Sequence, residues 1–303
     1  MAFSIRNLID LTVPQYLMII LISPLSAYLI INQKIPSFSF IWIIISMCFG
    51  VLGFNSLNMV FDSKTDKLDK PKRPIPSGKV TIKEATIISS ILYVLSIGTS
   101  LMVNQLFTTI ILLFILISAL YSLPFIYLKK YWWGSSFVGT ILYGILPFLS
   151  AVSISQPGTH IPIIFIIYFA SLFTIISNVK DIEDTVGEEK NKINSLPLLI
   201  GSENTTYLII IAPLILTILM GVLALTEIIP QKFLIASIFS SIIIILFANT
   251  IWKETKKINY QNILFKELKN ERVKEIVTQS NAVTLTVLNA LIIQLTFGIT
   301  AMI

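Results

Sequence analysis

Long stretches of this chain carry no charged residue. Residues 11–33, 35–61, 85–128, 131–179, 204–226, 233–252 and 276–303 are free of Asp, Glu, Lys and Arg. Runs of this kind cannot be left in water, and about 20 apolar residues suffice for a helix to cross a bilayer. The runs are continuous rather than alternating, which excludes transmembrane strands. Two intervals are long enough for two spans each: 85–128, broken near Asn104-Gln105, and 131–179, broken at the polar segment 153–160. The prediction is an all-α fold, a polytopic membrane bundle of nine transmembrane helices. The first run follows Arg6 without a small-residue cleavage site, so it is expected to be retained as a helix rather than removed.

Charged residues make up 13% of the sequence, against about 25% in soluble domains. Of the 22 Lys and Arg, all but Lys34 and Lys232 fall before the first helix or after an even-numbered one. The positive-inside rule then places the N-terminus and those loops in the cytoplasm and the C-terminus outside. The net charge of +6 is read as topology and not as a sign of nucleic-acid binding. The lone Cys48 excludes an intramolecular disulfide and reads as a small packing residue.

All but Glu227 of the 16 Asp and Glu lie on the basic side too. Acids contribute little to helix orientation, so their placement needs another cause. They form two rows. Asn58, Asp62 and Asp66 are spaced by four at the end of the second helix, and Asp69 continues the row until Pro71 and Pro74 stop it. Asp181, Asp184 and Glu188, in KDIEDTVGEEK at 180–190, are spaced three and four at the end of the sixth helix. Glu183 and Glu189 are expected to point elsewhere. Each row is followed by a proline and then a glycine, Pro76-Ser77-Gly78 and Pro197 to Gly201. The pattern suggests two four-helix halves plus one helix.

Carboxylates gathered in one mouth repel and must take up protons or cations. Mg²⁺ binds one or two carboxylates and keeps its other positions for water and phosphate oxygens. Two such ions, held by Asp62, Asp66, Asp181, Asp184 and Glu188, would bridge both rows to one diphosphate. Lys72, Arg73, Lys180 and Lys192 lie close enough in sequence to neutralise the remaining phosphate charge. The plainer reading, solvated helix ends, is the one adopted for Lys64, Lys67, Lys70, Glu189 and the stretch 253–275. It does not suit the two rows, because acids in or near spanning segments are rare and usually functional. A secondary transporter would place its acids near the bilayer midplane on broken helices, whereas these lie at helix ends; that class is a remote alternative.

These residues carry a resemblance. The spacing Asn58-x3-Asp62-x3-Asp66, the segment DKPKRPIPSGK (69–79), the segment KDIEDTVGEEKNKINSLPLLIG (180–201) and LYSLPFIYLKKYWWG (120–134) resemble motifs of the UbiA superfamily of intramembrane prenyltransferases. The likeness runs over essentially the whole chain, taken as one domain, 1–303. Departures are Met59 where many members have Asp, Glu188 where Asp is usual, and Val13-Pro14 where Arg-Pro is frequent. The resemblance implies Mg²⁺-dependent transfer of a prenyl group from a prenyl diphosphate, with geranylgeranyl diphosphate the expected donor, to a lipophilic acceptor in the membrane. It implies a catalytic set of Asn58, Asp62, Asp66, Asp181 and Asp184. To these it adds Tyr121 and Ser122, which match a Tyr-Ser pair lining the family's central cavity. Tyr121, Phe125, Tyr127 and Tyr143 are candidates for aromatic walls around an allylic cation. Trp132 and Trp133 read as interfacial belt, and His160 maps to the outer face with no catalytic role. The KDIED segment resembles archaeal lipid-forming members, whose acceptor is geranylgeranylglyceryl phosphate. The YSLP and WWG segments are more like branches acting on quinone precursors, chlorins or carotenoids. The polar lipid is slightly favoured.

Overall fold

The computed structural model describes residues 4–124, 126–156, 159, 162–267 and 280–303. Phe125, His160 and residues 268–279 therefore lie outside the described residues. All regular structure among those described is helical. Eight helices are long and apolar enough to cross a membrane, and a ninth span is present if the bent pair at the start counts as one.

That pair is α1 (Ile5–Thr12) and α2 (Leu17–Asn32), inclined by 53° to each other. The sequence reading had one straight span over 11–33. Pro14 cannot donate to the ladder, and Val13 turns the chain with φ 49, a conformation that β-branched residues rarely adopt. The side-chain amide of Asn55 donates to the Thr12 carbonyl (2.9 Å) and the Val13 carbonyl (3.4 Å), satisfying what the break exposes.

The second span, α3 (Phe40–Phe61), ends where the first acid row begins, and α4 (Ser63–Asp69) carries the row on. A proline-rich turn leads to α5 (Ile82–Ser100), started by a capping box in which Thr81 and Glu84 exchange side-chain to backbone bonds. α3 and α5 are fastened by a reciprocal pair, Ser46 and Ser96 each donating to the other's carbonyl at 2.7 Å. α6 (Gln105–Ser122) follows, capped by Asn104.

The next span is built from α7 (Gly134–Gly139), a π-helical turn (Thr140–Ile145) and α8 (Leu146–Val152). Gly144, in the π turn, sits against α9 (Ile163–Ile176), where a Cβ would stand 2.6 Å from the Ala170 Cα. Small residues permit such approach where no hydrophobic force drives helices together. α10 (Val179–Glu183), α11 (Thr185–Lys190) and α12 (Leu196–Ile200) are short and carry the second acid row and its Pro-Gly close. α13 (Ser202–Leu225), α14 (Phe233–Glu267) and α15 (Ala282–Met302) complete the bundle. α15 is tied to α2 by Ser23 donating to Gln294 at 2.7 Å.

One sequence reading is corrected in part. Residues 253–267 are not a loop but the end of α14, 35 residues long in all, while Lys253, Lys256, Lys257 and Lys266 are exposed, as expected of a solvated charge run. Ile251, Thr255 and Ile258 recur at helical spacing and are buried. Ile258 packs with Val179 and Ile182 beside the second acid row, and Asn262 donates to the Ile182 carbonyl at 2.9 Å.

Candidate active site

Both acid rows keep their helical spacing through a local break. Asp62 lies between α3 and α4, and Asp184 between α10 and α11, and at both breaks i,i+4 backbone bonds persist, Asp62 to Asn58, Asp66 to Asp62, and Glu188 to Asp184. The two tips meet. Lys70, at the end of the first row, is ion-paired with Asp184 at 2.5 Å and Glu183 at 3.3 Å in the second. Asp69 accepts from the Gly187 backbone N–H at 2.8 Å. Lys129 lies between them, 2.8 Å from Asp62 and 3.8 Å from Glu188.

Two readings of the sequence change. Lys70 is not a solvated helix end; its side chain is only 12% exposed. Glu183 does not point away but joins it. Lys64, Lys67 and Glu189 are exposed; Glu189 pairs with Lys266, at 2.6 Å. Lys129 was seen merely as a topological charge, yet its side chain is 2% exposed.

The remaining predicted residues fall as follows. Arg73 grips both oxygens of Asp66, at 2.9 and 2.8 Å. Asn58 donates to Asp62 at 2.8 Å. Asp181 accepts from Ser135 at 3.0 Å, and the Ser135 hydroxyl also meets the Tyr121 hydroxyl at 3.3 Å. Lys180 lines the cavities described below. Lys72 is exposed at the outer one. Lys192 is exposed and lines neither. The Ser122 hydroxyl is buried without a partner and away from both.

Two cavities share a wall. The inner one is walled by Tyr16, Phe54, Tyr121, Tyr143 and Phe173, with Asn58, Arg73, Lys180 and Asp181 also in its lining. Tyr143 stands between Tyr16 (centroids 6.1 Å apart) and Phe173 (6.0 Å). The outer basin, about 700 Å³, is lined by Arg6, Lys70, Lys72, Arg73, Lys79 and Lys180. Tyr16, Arg73 and Lys180 face both. Tyr127 lines neither. Trp132 and Trp133 are exposed.

The electrostatics are uneven. Burial pushes the Asp62 carboxyl up, but Lys129 and Lys180 outweigh it and hold it below the usual range. At Asp184 burial is again overcome, by Lys70 and Lys129. Burial pushes Asp69 up to about 8, with Asp184 adding to it. Glu188 is raised well above its ordinary value by burial and by Asp181, with Lys129 opposing only in part.

Bare oxygens decide whether a cation fits. Among the described residues, Asn58 Oδ1, Asp62 Oδ1, Asp69 Oδ2, Asp184 Oδ2 and both Glu188 oxygens are buried without a hydrogen-bond partner. Such groups are costly unless something pairs with them. Among the described residues no three acids or other ligating side chains form a closed cage. That suits a hard cation which takes one or two carboxylates and completes its shell with water and phosphate oxygens. The donors are all oxygen, as Mg²⁺ requires.

The UbiA prenyltransferase family signature covers residues 17–266. The digeranylgeranylglyceryl phosphate synthase of Methanococcoides burtonii is 31% identical over 194 residues, 62% of this chain and 68% of that protein. The corresponding synthase of Sulfurisphaera tokodaii is 31% identical over 242 residues, 74% of this chain and 80% of its own. The structure of a UbiA homologue from Archaeoglobus fulgidus, solved with DMAPP and Mg²⁺, superposes with a TM-score of 0.67 at 16% identity, covering 98% of this chain and 99% of that one. This chain belongs to the UbiA prenyltransferase family and is a multi-pass membrane prenyltransferase.

Proposed function

We propose that the chain transfers a prenyl group from a prenyl diphosphate to the phosphate-bearing lipid acceptor geranylgeranylglyceryl phosphate, with geranylgeranyl diphosphate as donor. One observation carries the reading: two acid rows from distant parts of the sequence meet beside an aromatic cavity, which Asn58 and Asp181 line, and leave buried carboxylate oxygens bare. Mg²⁺, two ions held by Asp62, Asp66, Asp181, Asp184 and Glu188, would supply the positive charge that binds the diphosphate and stabilises it as a leaving group.

The protein's own residues do the rest. One nitrogen of Arg73 holds both oxygens of Asp66, and Lys129 spaces Asp62 from Glu188. Ser135 orients Asp181 and contacts Tyr121, so one hydroxyl links the acid row to the aromatic wall. Tyr16, Phe54, Tyr121, Tyr143 and Phe173 exclude water from the inner cavity and present ring faces to an allylic cation, on the order of 0.5–2 kcal/mol each. Residues 1–303 act as one domain, with the acid end at the cytoplasmic surface.

Support for a phosphate acceptor comes from the outer basin. Arg6, Lys72, Lys79 and Lys180 line it, and none is ion-paired among the described residues. The related synthases from Methanococcoides burtonii and Sulfurisphaera tokodaii carry that activity in their names. The test is incubation of the purified protein in lipid with Mg²⁺, geranylgeranyl diphosphate and a panel of acceptors: the glyceryl phosphate lipid, a quinone precursor, a chlorin and a carotenoid. Mass spectrometry should find the digeranylgeranyl product with the first. Product with only a neutral acceptor would overturn the acceptor, and no Mg²⁺-dependent product with any would overturn the reaction.

A further inference from the structure

Asp69 lies beyond the Asn-x3-Asp-x3-Asp row and is not among the five acids assigned to the ions. It is 8% exposed, and its Oδ1 accepts from the Gly187 N–H at 2.8 Å. Gly187 is the third residue of α11, whose first N–H groups have no partner within that helix. The residue placed to cap α11 is Asp184, and its side chain makes no capping bond. Asp184 instead holds one oxygen against Lys70 and leaves the other bare. The cap for α11 thus comes from the other acid row. Gly187 admits it: a Cβ there would stand 2.1 Å from Asp69 Oδ2 and 2.9 Å from the Thr65 carbonyl oxygen.

We propose that Asp69 is a positioning residue which caps α11 from the opposite row, fixing the register of the two rows and leaving the Asp184 carboxylate free for the site. This rests on the reading that the rows jointly hold the diphosphate and its ions. Without Asp69, the Gly187 N–H loses its acceptor and the bond that ties the two rows together is gone. Asn at position 69 keeps a carbonyl oxygen for the Gly187 N–H, as Asn and Asp both serve well at caps.

Asp69→Ala, Asp69→Asn and Gly187→Ala, in the full-length protein in lipid, separate the possibilities. Amide hydrogen exchange is read at Gly187, together with the Mg²⁺ concentration for half-maximal activity and the KM for acceptor. Asp69→Ala and Gly187→Ala should lose protection at position 187 and raise the Mg²⁺ requirement about tenfold, with acceptor KM unchanged. Asp69→Asn should keep protection and stay within about threefold of wild type. Asp69→Asn failing as badly as Asp69→Ala would make Asp69 a charged ligand, and unchanged exchange in Asp69→Ala would remove the cap; either overturns the proposal. If wild-type activity ignores Mg²⁺, the functional reading fails while exchange still decides the cap.

Discussion

Every acid of the first row spends at least one oxygen on a fixed donor, whereas Glu188 of the second spends none. Asp62 has Lys129 and Asn58, Asp66 has both bonds of Arg73, and Asp69 has the Gly187 N–H. In the second row Asp181 has a neutral serine, Asp184 a lysine on one oxygen, and Glu188 only a lysine at 3.8 Å. The first row is therefore oriented before any ligand arrives. The second is held in place through its backbone and neighbours and keeps oxygens free for a ligand. Oriented donors reduce the reorganisation that binding must otherwise supply; bare ones supply the attraction.

The largest effect should come from neutralising the open row. Asp184→Asn and Glu188→Gln should each lower kcat/KM by about 10²–10³-fold at saturating Mg²⁺, the scale of losing one preorganised electrostatic contact. Asp66→Asn, whose oxygens are already committed to Arg73, should cost about tenfold. Equal losses in both rows would erase the asymmetry.

Lys129 offers a second break. Its pair with Asp62 is almost wholly buried, and removing one member strands the other, at about 3–5 kcal/mol. Lys129→Met should therefore lower the unfolding midpoint in detergent markedly. The double variant Lys129→Met with Asp62→Asn should recover most of that stability yet stay inactive. A double variant no more stable than Lys129→Met alone would show that the pair is not what Lys129 stabilises.

These contrasts also mark what a one-dimensional reading can see. The acid rows were legible because i,i+4 spacing at the end of an apolar run survives folding, even across the breaks at Asp62 and Asp184. Lys70 and Lys129 were not, because a lysine beside a span looks the same whether it anchors topology or lies buried between carboxylates. Nor were Phe54 and Phe173, which sit in helices apolar all round, where periodicity cannot say which face meets the cavity, nor Tyr16, whose place is set by the short turn at the break after Val13. The bend at Val13 was half legible: Pro14 marks a stop, but nothing in the sequence shows that Asn55 will cap it. The extension of α14 was hidden by its own charges, though Ile251, Thr255 and Ile258 hold a helical face within them.

A milder break tests the geometry of the oriented row. Arg73→Lys keeps the charge but replaces a planar guanidinium, one nitrogen of which contacts both oxygens of Asp66, by a flexible ammonium. Charge-assisted hydrogen bonds contribute about 1.5–3 kcal/mol, and weakening this contact should raise KM for the prenyl diphosphate about tenfold with kcat less affected. An unchanged KM would mean that the hold on Asp66 does not depend on the guanidinium.

The smallest expected effect lies on the open row. Ser135 donates to Asp181 and shares its hydroxyl with Tyr121, so it is a neutral link between the second row and the aromatic wall. Neutral hydrogen bonds contribute about 0.5–1.5 kcal/mol net, and Ser135→Ala should lower kcat/KM by about threefold. The loss should fall on kcat, because Tyr121 and Asp181 keep their places in α6 and α10 while losing only their mutual alignment. Tyr121→Phe should cost about the same, and the two changes together little more than either, since they cut one chain of contacts. Additive losses would mean that Tyr121 and Asp181 act separately, and the second row would then be as independent of its surroundings as its bare oxygens suggest.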